Sequence, residues 1–410
     1  MMADPLSRSV RGMSRSGTLL RRLWAAAVAL GSAAWLLAVL GWFRGVRRVP
    51  VLEEVGQSLR PLESYPSVSV VVPARDEEAS LEEALRSILD SRYPGRLEVV
   101  VVDDRSTDRT GEIIAALAAE RPGEIRALRV DGLPEGWLGK NHALYRGAEG
   151  AGGEWLLFTD ADVRFSQGCI KHAVGYAVRE RLDHLTLSPE LISRGVALKS
   201  FVAAFVLVFE VTQRPWLASD PEAREAVGVG AFNLLKREAY GRAGTHRAIR
   251  LRPDDDMRLA RLVKEAGLSQ GVAYGTGSVS VEWHTSLAGA VKGLEKSIFP
   301  GVDYRLSAIL LGGLVLLLTN VAPFAGIFLA RRRATRLLFC ADVLAVAAMY
   351  AYGPRVSGAK VPPLYAALHP FGVGVFVYAM LRSAYAALSK GGIEWRGTTY
   401  PLKILREQKP

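Results

Sequence analysis

The sequence predicts an α/β catalytic domain with a mostly parallel sheet, attached to membrane helices, and three observations predict it. Apolar stretches ending in acidic residues alternate with helical patterns between residues 67 and 162. Long uncharged runs stand near both ends of the chain. Half of the 410 residues are hydrophobic while 23% are charged, so the two kinds must be segregated along the chain.

A basic segment, 1–22, precedes the apolar run 23–43, which is flanked by Arg21, Arg22, Arg44, Arg47 and Arg48. About 20 apolar residues cross hydrocarbon, and no small-residue cleavage site follows, so an uncleaved anchor is expected. A linker, 44–66, carries Pro50, Pro61 and Pro66. The run SVSVVV at 67–72 then reads as a buried strand, and Ser80 with Glu83 has the spacing of a capping box for a helix through Leu89. LEVVVV at 97–102 is a second strand, ending at Asp103 and Asp104, with Asp108 placed to cap a helix over 113–119. A strand at 154–158 ends in Thr159, Asp160, Ala161 and Asp162. Ligands of parallel sheets sit beyond the carboxyl ends of the strands, where these acids fall.

The run 198–211 is strongly apolar but only 14 residues long and is closed by Gln213, Arg214 and Pro215. It is short for a span and reads as an interfacial or buried helix within 198–214. Three further apolar segments, 306–330, 337–352 and 364–388, make a C-terminal membrane region (306–388) before a basic tail, 389–410; the middle segment carries Asp342. The net charge of +11 is concentrated beside apolar runs, which points to anionic lipid headgroups and away from nucleic acid. Cys169 and Cys340 lack metal-ligand spacing, so neither zinc nor a disulfide framework is expected.

Asp160 and Asp162, directly after a buried strand, suit a hard divalent cation, Mg2+ or Mn2+, with sites left for diphosphate oxygens. A solvated turn or helix cap is the alternative. Asp103 and Asp104 suit hydrogen bonds to a base or ribose, or equally a capped turn. Asp254, Asp255 and Asp256 open an amphipathic helix over 257–267. They serve its dipole, or, if one is buried near the others, supply a general base.

PARDEE after a strand, VVVVDDRSTD, LLFTDAD and RPDDDMRLARLVKEAG, in this order, resemble the family 2 glycosyltransferases of the GT-A nucleotide-sugar fold, over 67–299. The resemblance implies a GT-A domain with one N-terminal and about three C-terminal transmembrane helices. It places Pro73, Arg75, Glu77 and Asp104 at the nucleotide sugar with Asp103 beside them, and Asp160 and Asp162 at the diphosphate and its metal. It puts the acid pair on Asp255 and Asp256, with Asp256 the general base and Asp255 standing where Glu is usual. The segment 136–141 (GWLGKN) resembles the WxGK segment of the membrane branch acting on hopanoids, carotenoids and related lipids, which implies Lys140 at the donor phosphates. The segment 229–233 resembles an acceptor-side loop, which points to Gly230, Phe232 and Asn233. The QxxRW motif of processive members is missing, and Trp283 and His284 occupy its region; an acceptor-stacking Trp and phosphate-side His, or ordinary structural residues, both fit.

The implied activity is inverting, metal-dependent transfer of a single sugar from a nucleotide sugar, a UDP-sugar by expectation, to a hydroxyl or phosphate of a membrane lipid. Terpenoid, carotenoid, glycerolipid and polyprenyl phosphate acceptors all satisfy it. Cytoplasmic donors imply a multi-pass protein with its catalytic domain on the cytoplasmic face, which with four spans leaves the basic segments outside, against the positive-inside tendency. An outward-facing enzyme using a lipid-linked donor is one alternative, and a scaffold with this fold but no turnover is another.

Overall fold

The computed structural model describes residues 5–353, 360–395 and 398–407. Residues 1–4 and the side chains up to 21, which make up most of the basic N-terminal segment, lie outside the described residues, as do 396–397 and 408–410 of the tail.

The strands, in chain order, are β1 (Val68–Ala74), β2 (Leu97–Asp104), β3 (Ile125–Val130), β4 (Trp155–Phe158), β5 (Val163–Phe165), β6 (His184–Ser188), β7 (Glu190–Leu191), β8 (Asn233–Lys236), β9 (Gln270–Tyr274), β10 (Val279–Val281), β11 (Gly392–Trp395) and β12 (Thr398–Pro401). Seven of them form the central sheet in the order β3-β2-β1-β4-β8-β6-β9. Only β8 runs antiparallel to its neighbours. The expected α/β class with a mostly parallel sheet is therefore what the chain adopts.

The valine runs of β1 and β2 are apolar on both sides because both faces of this sheet are covered. Val70, Val72, Val99 and Val101 face one core with the helices Leu81–Leu89 and Cys169–Arg179. Val71, Val100 and Val102 face the other, with Gly139–Gly150 and Asp255–Glu265. β3, not anticipated from the sequence, is an edge strand whose IRALRV sequence puts a solvated arginine on each face. The capping box does not form: Ser80 makes no capping bond, and Glu83 pairs with Arg164 at 2.8 Å. Cys169 is buried in the core, and that burial raises its thiol pKa, which keeps it unreactive.

Among the described residues, five helices are long and apolar enough to cross a membrane: Arg22–Val46, Val196–Leu217, Leu306–Leu329, Arg333–Tyr352 and Pro363–Ser389. The short run at 198–211 is thus part of a longer helix, Val196–Gln213. Strands on either side of it in sequence pair in one sheet, β4 with β8 and β6 with β9, so it begins and ends on the same side. It crosses Pro363–Ser389 at small residues: a Cβ on Gly372 would stand 2.5 Å from the Ser200 carbonyl oxygen. Leu306–Leu329 contains a π-helical turn, Leu317–Val321, just before Pro323. Asp342 of Arg333–Tyr352 is buried and accepts a 2.7 Å hydrogen bond from Ser32 of the first helix, which explains a carboxylate inside an apolar run.

Candidate active site

β4 hands the chain to Thr159, whose hydroxyl donates to the Ala231 carbonyl at 2.8 Å, and to Asp160, whose N–H donates to the Gly230 carbonyl at 3.1 Å. From its other side, the Gly230 N–H donates to Asp256 Oδ2 at 2.8 Å. One peptide segment therefore bonds the second and third acidic clusters to each other. Glycine is required there, since a Cβ would lie 2.6 Å from Asp160 Oδ2.

Lys140, in the first turn of Gly139–Gly150, completes the unit. Its Nζ stands 2.9 Å from Asp160 Oδ1 and 3.3 Å from Asp255 Oδ2. Burial works against its charge, but Asp160, Asp255 and Asp256 outweigh that and hold it protonated above the ordinary lysine value. The neighbouring Asn141 is buried and donates to the carbonyls of Ile249 and Arg252 at 2.8 and 2.9 Å, which pins the approach to the third cluster onto the same helix.

The three adjacent aspartates have different environments. Asp254 occupies the N-cap position without a capping bond and is clasped by Arg252 at 2.9 Å and Arg258 at 3.0 Å. Asp255 is buried beneath Lys140, and burial raises its carboxyl pKa although Lys140 pulls the other way. Asp256 is half-buried and accepts two backbone N–H bonds, from Gly230 and from Met257, each 2.8 Å. Burial and the Asp255 charge push it up to about 7.

Asp162 is also pushed up to about 7, by burial and then by the charges of Asp160 and Glu77. Crowded carboxylates of this kind fit a divalent cation, which would relieve their repulsion. Among the described residues no three His, Cys, Asp or Glu form a closed ligand set. Asp160 and Asp162 would hold the ion and leave its remaining positions to donor oxygens and water.

Asp103 and Asp104, both buried, end β2. Asp103 shapes the turn by accepting from the Ser106 N–H at 2.9 Å. Asp104 takes a forked pair from Arg105, at 2.8 and 3.1 Å, and Arg75 stands 4.0 Å away. Gly139 approaches so closely that a Cβ there would meet Asp104 Oδ2 at 2.3 Å. Pro73 is half-buried in β1 opposite Val102. The PARDEE turn is bonded to the turn after β2: Glu77 N–H to Thr110 Oγ1 at 2.8 Å, and Thr107 N–H to Asp76 Oδ1 at 2.7 Å.

Other residues singled out in the sequence lie outside this unit. Phe232 is fully buried with its ring 5.6 Å from Phe165, and Asn233 bonds the Val229 carbonyl and His184 within the core. Phe232 supports the loop from behind, while Gly230 and Asn233 line the cavity shared with Asp160, Asp255 and Asp256. Trp283 stacks on Phe205 at 4.8 Å, and His284 stacks on Trp283 at 4.7 Å. Burial lowers His284 to about 4, so it is neutral. Phe205 also meets Phe376, so these rings form an apolar wall shared by the apolar helices Val196–Leu217 and Pro363–Ser389. Arg105 and Asn141 carried no sequence signal beyond their neighbours.

Residues 69–242 match the family model described as glycosyl transferase family 2. The chain is 34% identical over 129 residues to a 4,4'-diaponeurosporenoate glycosyltransferase of Staphylococcus haemolyticus, a match that spans 31% of this chain and only 33% of that relative. It is 24% identical over 351 residues to the enzyme of the same name from Staphylococcus aureus, covering 84% of this chain and 90% of that one. Among solved structures, a mannosyltransferase from Pyrobaculum calidifontis in complex with GDP-Man and Mn2+ matches with a TM-score of 0.48 and 19% identity, over 89% of this chain and 97% of that one.

Proposed function

This chain carries a family 2 glycosyltransferase domain, and from that premise we propose that it moves a single sugar, with inversion, from a nucleotide-sugar donor to a hydroxyl of an apolar, carotenoid-type lipid. The observation that carries this reading is the hydrogen-bonded unit of Asp160, Lys140, Asp255 and Asp256 closed through Gly230. It sets a buried cation and a carboxyl of raised pKa around one small cavity at the strand ends.

Asp103, Asp104 and Arg105 offer acceptors and a donor fork to the nucleoside, a uridine by family-level expectation. A divalent cation held by Asp160 and Asp162 would neutralise the departing diphosphate. Lys140 adds a fixed positive charge on the same side, already paid for by its three carboxylate neighbours. Asp256 takes the proton from the acceptor hydroxyl, whose oxygen bonds to the anomeric carbon as the bond to the diphosphate oxygen breaks. One displacement inverts the configuration, so no protein nucleophile is needed. The wall of Trp283, Phe205 and Phe376 supports an acceptor arriving from the membrane. The names of the Staphylococcus relatives support a carotenoid-type lipid.

The test is to incubate membranes containing the full chain with radiolabelled UDP- and GDP-sugars and Mn2+, and to separate the lipid extract. Label is expected in an apolar glycolipid and not in Asp256→Asn membranes. A binding-only scaffold is the correct reading if no donor labels any lipid while nucleoside diphosphates still bind.

A further inference from the structure

The helix Asp255–Glu265 borders two cavities. Asp255, Asp256 and Leu259 line the catalytic one, whereas Asp254, Met257, Arg258 and Arg261, spaced as a single helical stripe, line a separate space of about 250 Å3. Arg224 and Glu225, from the loop that leads to Gly230, form another side of it. Its charges do not cancel. Glu225 is paired with Arg214, and Asp254 is held by Arg252 and Arg258, so both carboxylates already have counter-charges. Arg258 is only 5% exposed; its Nε donates to Asp254 at 3.0 Å and its Nη2 to Asp303, while Nη1 is buried without a hydrogen-bond partner. Arg224 and Arg261 are exposed and, among the described residues, make no ion pair. A buried guanidinium N–H left open, with two unpaired guanidiniums beside it, calls for an anionic acceptor.

The position of the cavity identifies the source of that anion. Thr212 and Gln213, which end Val196–Gln213, line it, and so does Gly301, just before Leu306–Leu329. Trp216 is pressed onto the end of Arg22–Val46, where a Cβ on Gly45 would stand 2.1 Å from its ring. Three of the helices apolar enough to cross a membrane therefore meet the catalytic domain around this space. Thr212 also lines an apolar cleft with Trp35, Leu207, Leu316 and Met349. A cationic cavity and an apolar cleft that share a wall residue suit one amphiphile, its head among the arginines and its chain between the helices.

We propose that this cavity binds the phosphate headgroup of an anionic phospholipid, held by Arg224, Arg258 and Arg261. The planar guanidinium fork matches phosphate oxygens. Asp256 and Arg258 lie on opposite faces of the same turn, so a lipid seated at Arg258 also steadies the helix that carries Asp256.

The experiment titrates the full-length protein, purified in a neutral detergent, with dioctanoyl phosphatidylglycerol, and repeats the titration with dioctanoyl phosphatidylcholine and with inorganic phosphate. Saturable binding is expected for the phosphatidylglycerol alone. Arg224→Gln combined with Arg261→Gln removes two exposed charges and leaves buried Arg258 and its pairs in place. This double variant is expected to bind phosphatidylglycerol about 30-fold more weakly, roughly fivefold for each charge. Arg146→Gln combined with Arg250→Gln, an equal loss of exposed charge at the separate cavity beside Trp137, is expected to leave binding unchanged. Wild-type affinity in the Arg224 and Arg261 variant overturns the proposal. An equal loss in both double variants also overturns it, because net charge alone would then attract the lipid. Phosphatidylcholine or inorganic phosphate binding as tightly as phosphatidylglycerol overturns it as well, the first by removing the need for negative charge and the second by assigning the arginines to a soluble anion. The readout is binding, so each outcome decides whether or not the chain transfers sugar.

Discussion

The Lys140 ammonium lies 2.9 Å from the Asp160 carboxylate, so the end of β4 and the first turn of Gly139–Gly150 are joined by a cation inside the cleft. Replacing it by Met leaves Asp160, Asp255 and Asp256 facing one another without their counter-charge. Lys140 lowers the Asp256 pKa, so its loss must raise it. We expect Lys140→Met to move the acid limb of the pH–rate profile to higher pH and to lower kcat about 10²-fold. An unmoved limb would show that Lys140 and Asp256 do not communicate.

Asp256→Asn keeps the size of the side chain but not a carboxylate: its single amide oxygen can accept only one of the two N–H bonds that Gly230 and Met257 make to Oδ2 and Oδ1, and it cannot take a proton. Sugar transfer is expected to fall ~10²- to 10⁴-fold while donor affinity stays near wild type. Single-turnover transfer and equilibrium donor binding, measured side by side, check this. Unaltered transfer removes Asp256 from the chemistry.

The pH dependence has a definite sign. A base pushed up to about 7 is protonated below that value, so wild-type kcat falls as pH drops through 7. The stability effect runs the other way. The folded state holds this proton more tightly than the unfolded chain, so the group's contribution is lost as pH rises from the ordinary carboxylate range through about 7. The thermal midpoint of wild type should therefore fall relative to that of Asp256→Asn as pH rises from 5 to 8.

Gly230→Ala adds a single methyl group 2.6 Å from Asp160 Oδ2. Because that group must shift either Asp160 or Lys140, kcat should fall by up to about 10²-fold. The circular dichroism spectrum is expected to stay unchanged. Wild-type kcat would mean the cleft absorbs the added methyl without moving its charged groups.

Chelation tests the cation. Activity should vanish with EDTA and return on titration with Mn2+ or Mg2+. Asp162→Asn should need a higher metal concentration for half-maximal rate, with donor KM rising in step. A chelator-resistant enzyme would restrict Asp160 and Asp162 to hydrogen bonding.

Much of this was written locally in the chain. Runs such as VVVVDD announce a two-sided buried strand with carboxylates at its end, and β1, β2 and β4 were readable for that reason. β3 was not, because an edge strand with an arginine on each face, Arg126 beside Leu128 and Val130 and Arg129 beside Ile125 and Ala127, resembles many exposed segments. The acids of the cleft were legible as types and positions. Their division of labour was not, since whether Asp254 pairs with arginine or Asp256 meets Gly230 depends on partners that only the fold brings near. The loop chosen for its glycine divides: Phe232 points into the core, while Asn233 lines the same cavity as Gly230 and Asp256.

Both ends of Pro363–Ser389 are tied to the catalytic domain. Lys360 pairs with Glu190 at 2.7 Å just before it, and near its end Ser383 donates to the Glu295 carbonyl at 2.6 Å. Its Phe371, Tyr378 and Tyr385, spaced seven apart on one face, are exposed. A rod held by the same body at its start and finish cannot pivot as an independent span, so it and Val196–Gln213, packed against it at Gly372 and Ser200, move as parts of the catalytic domain.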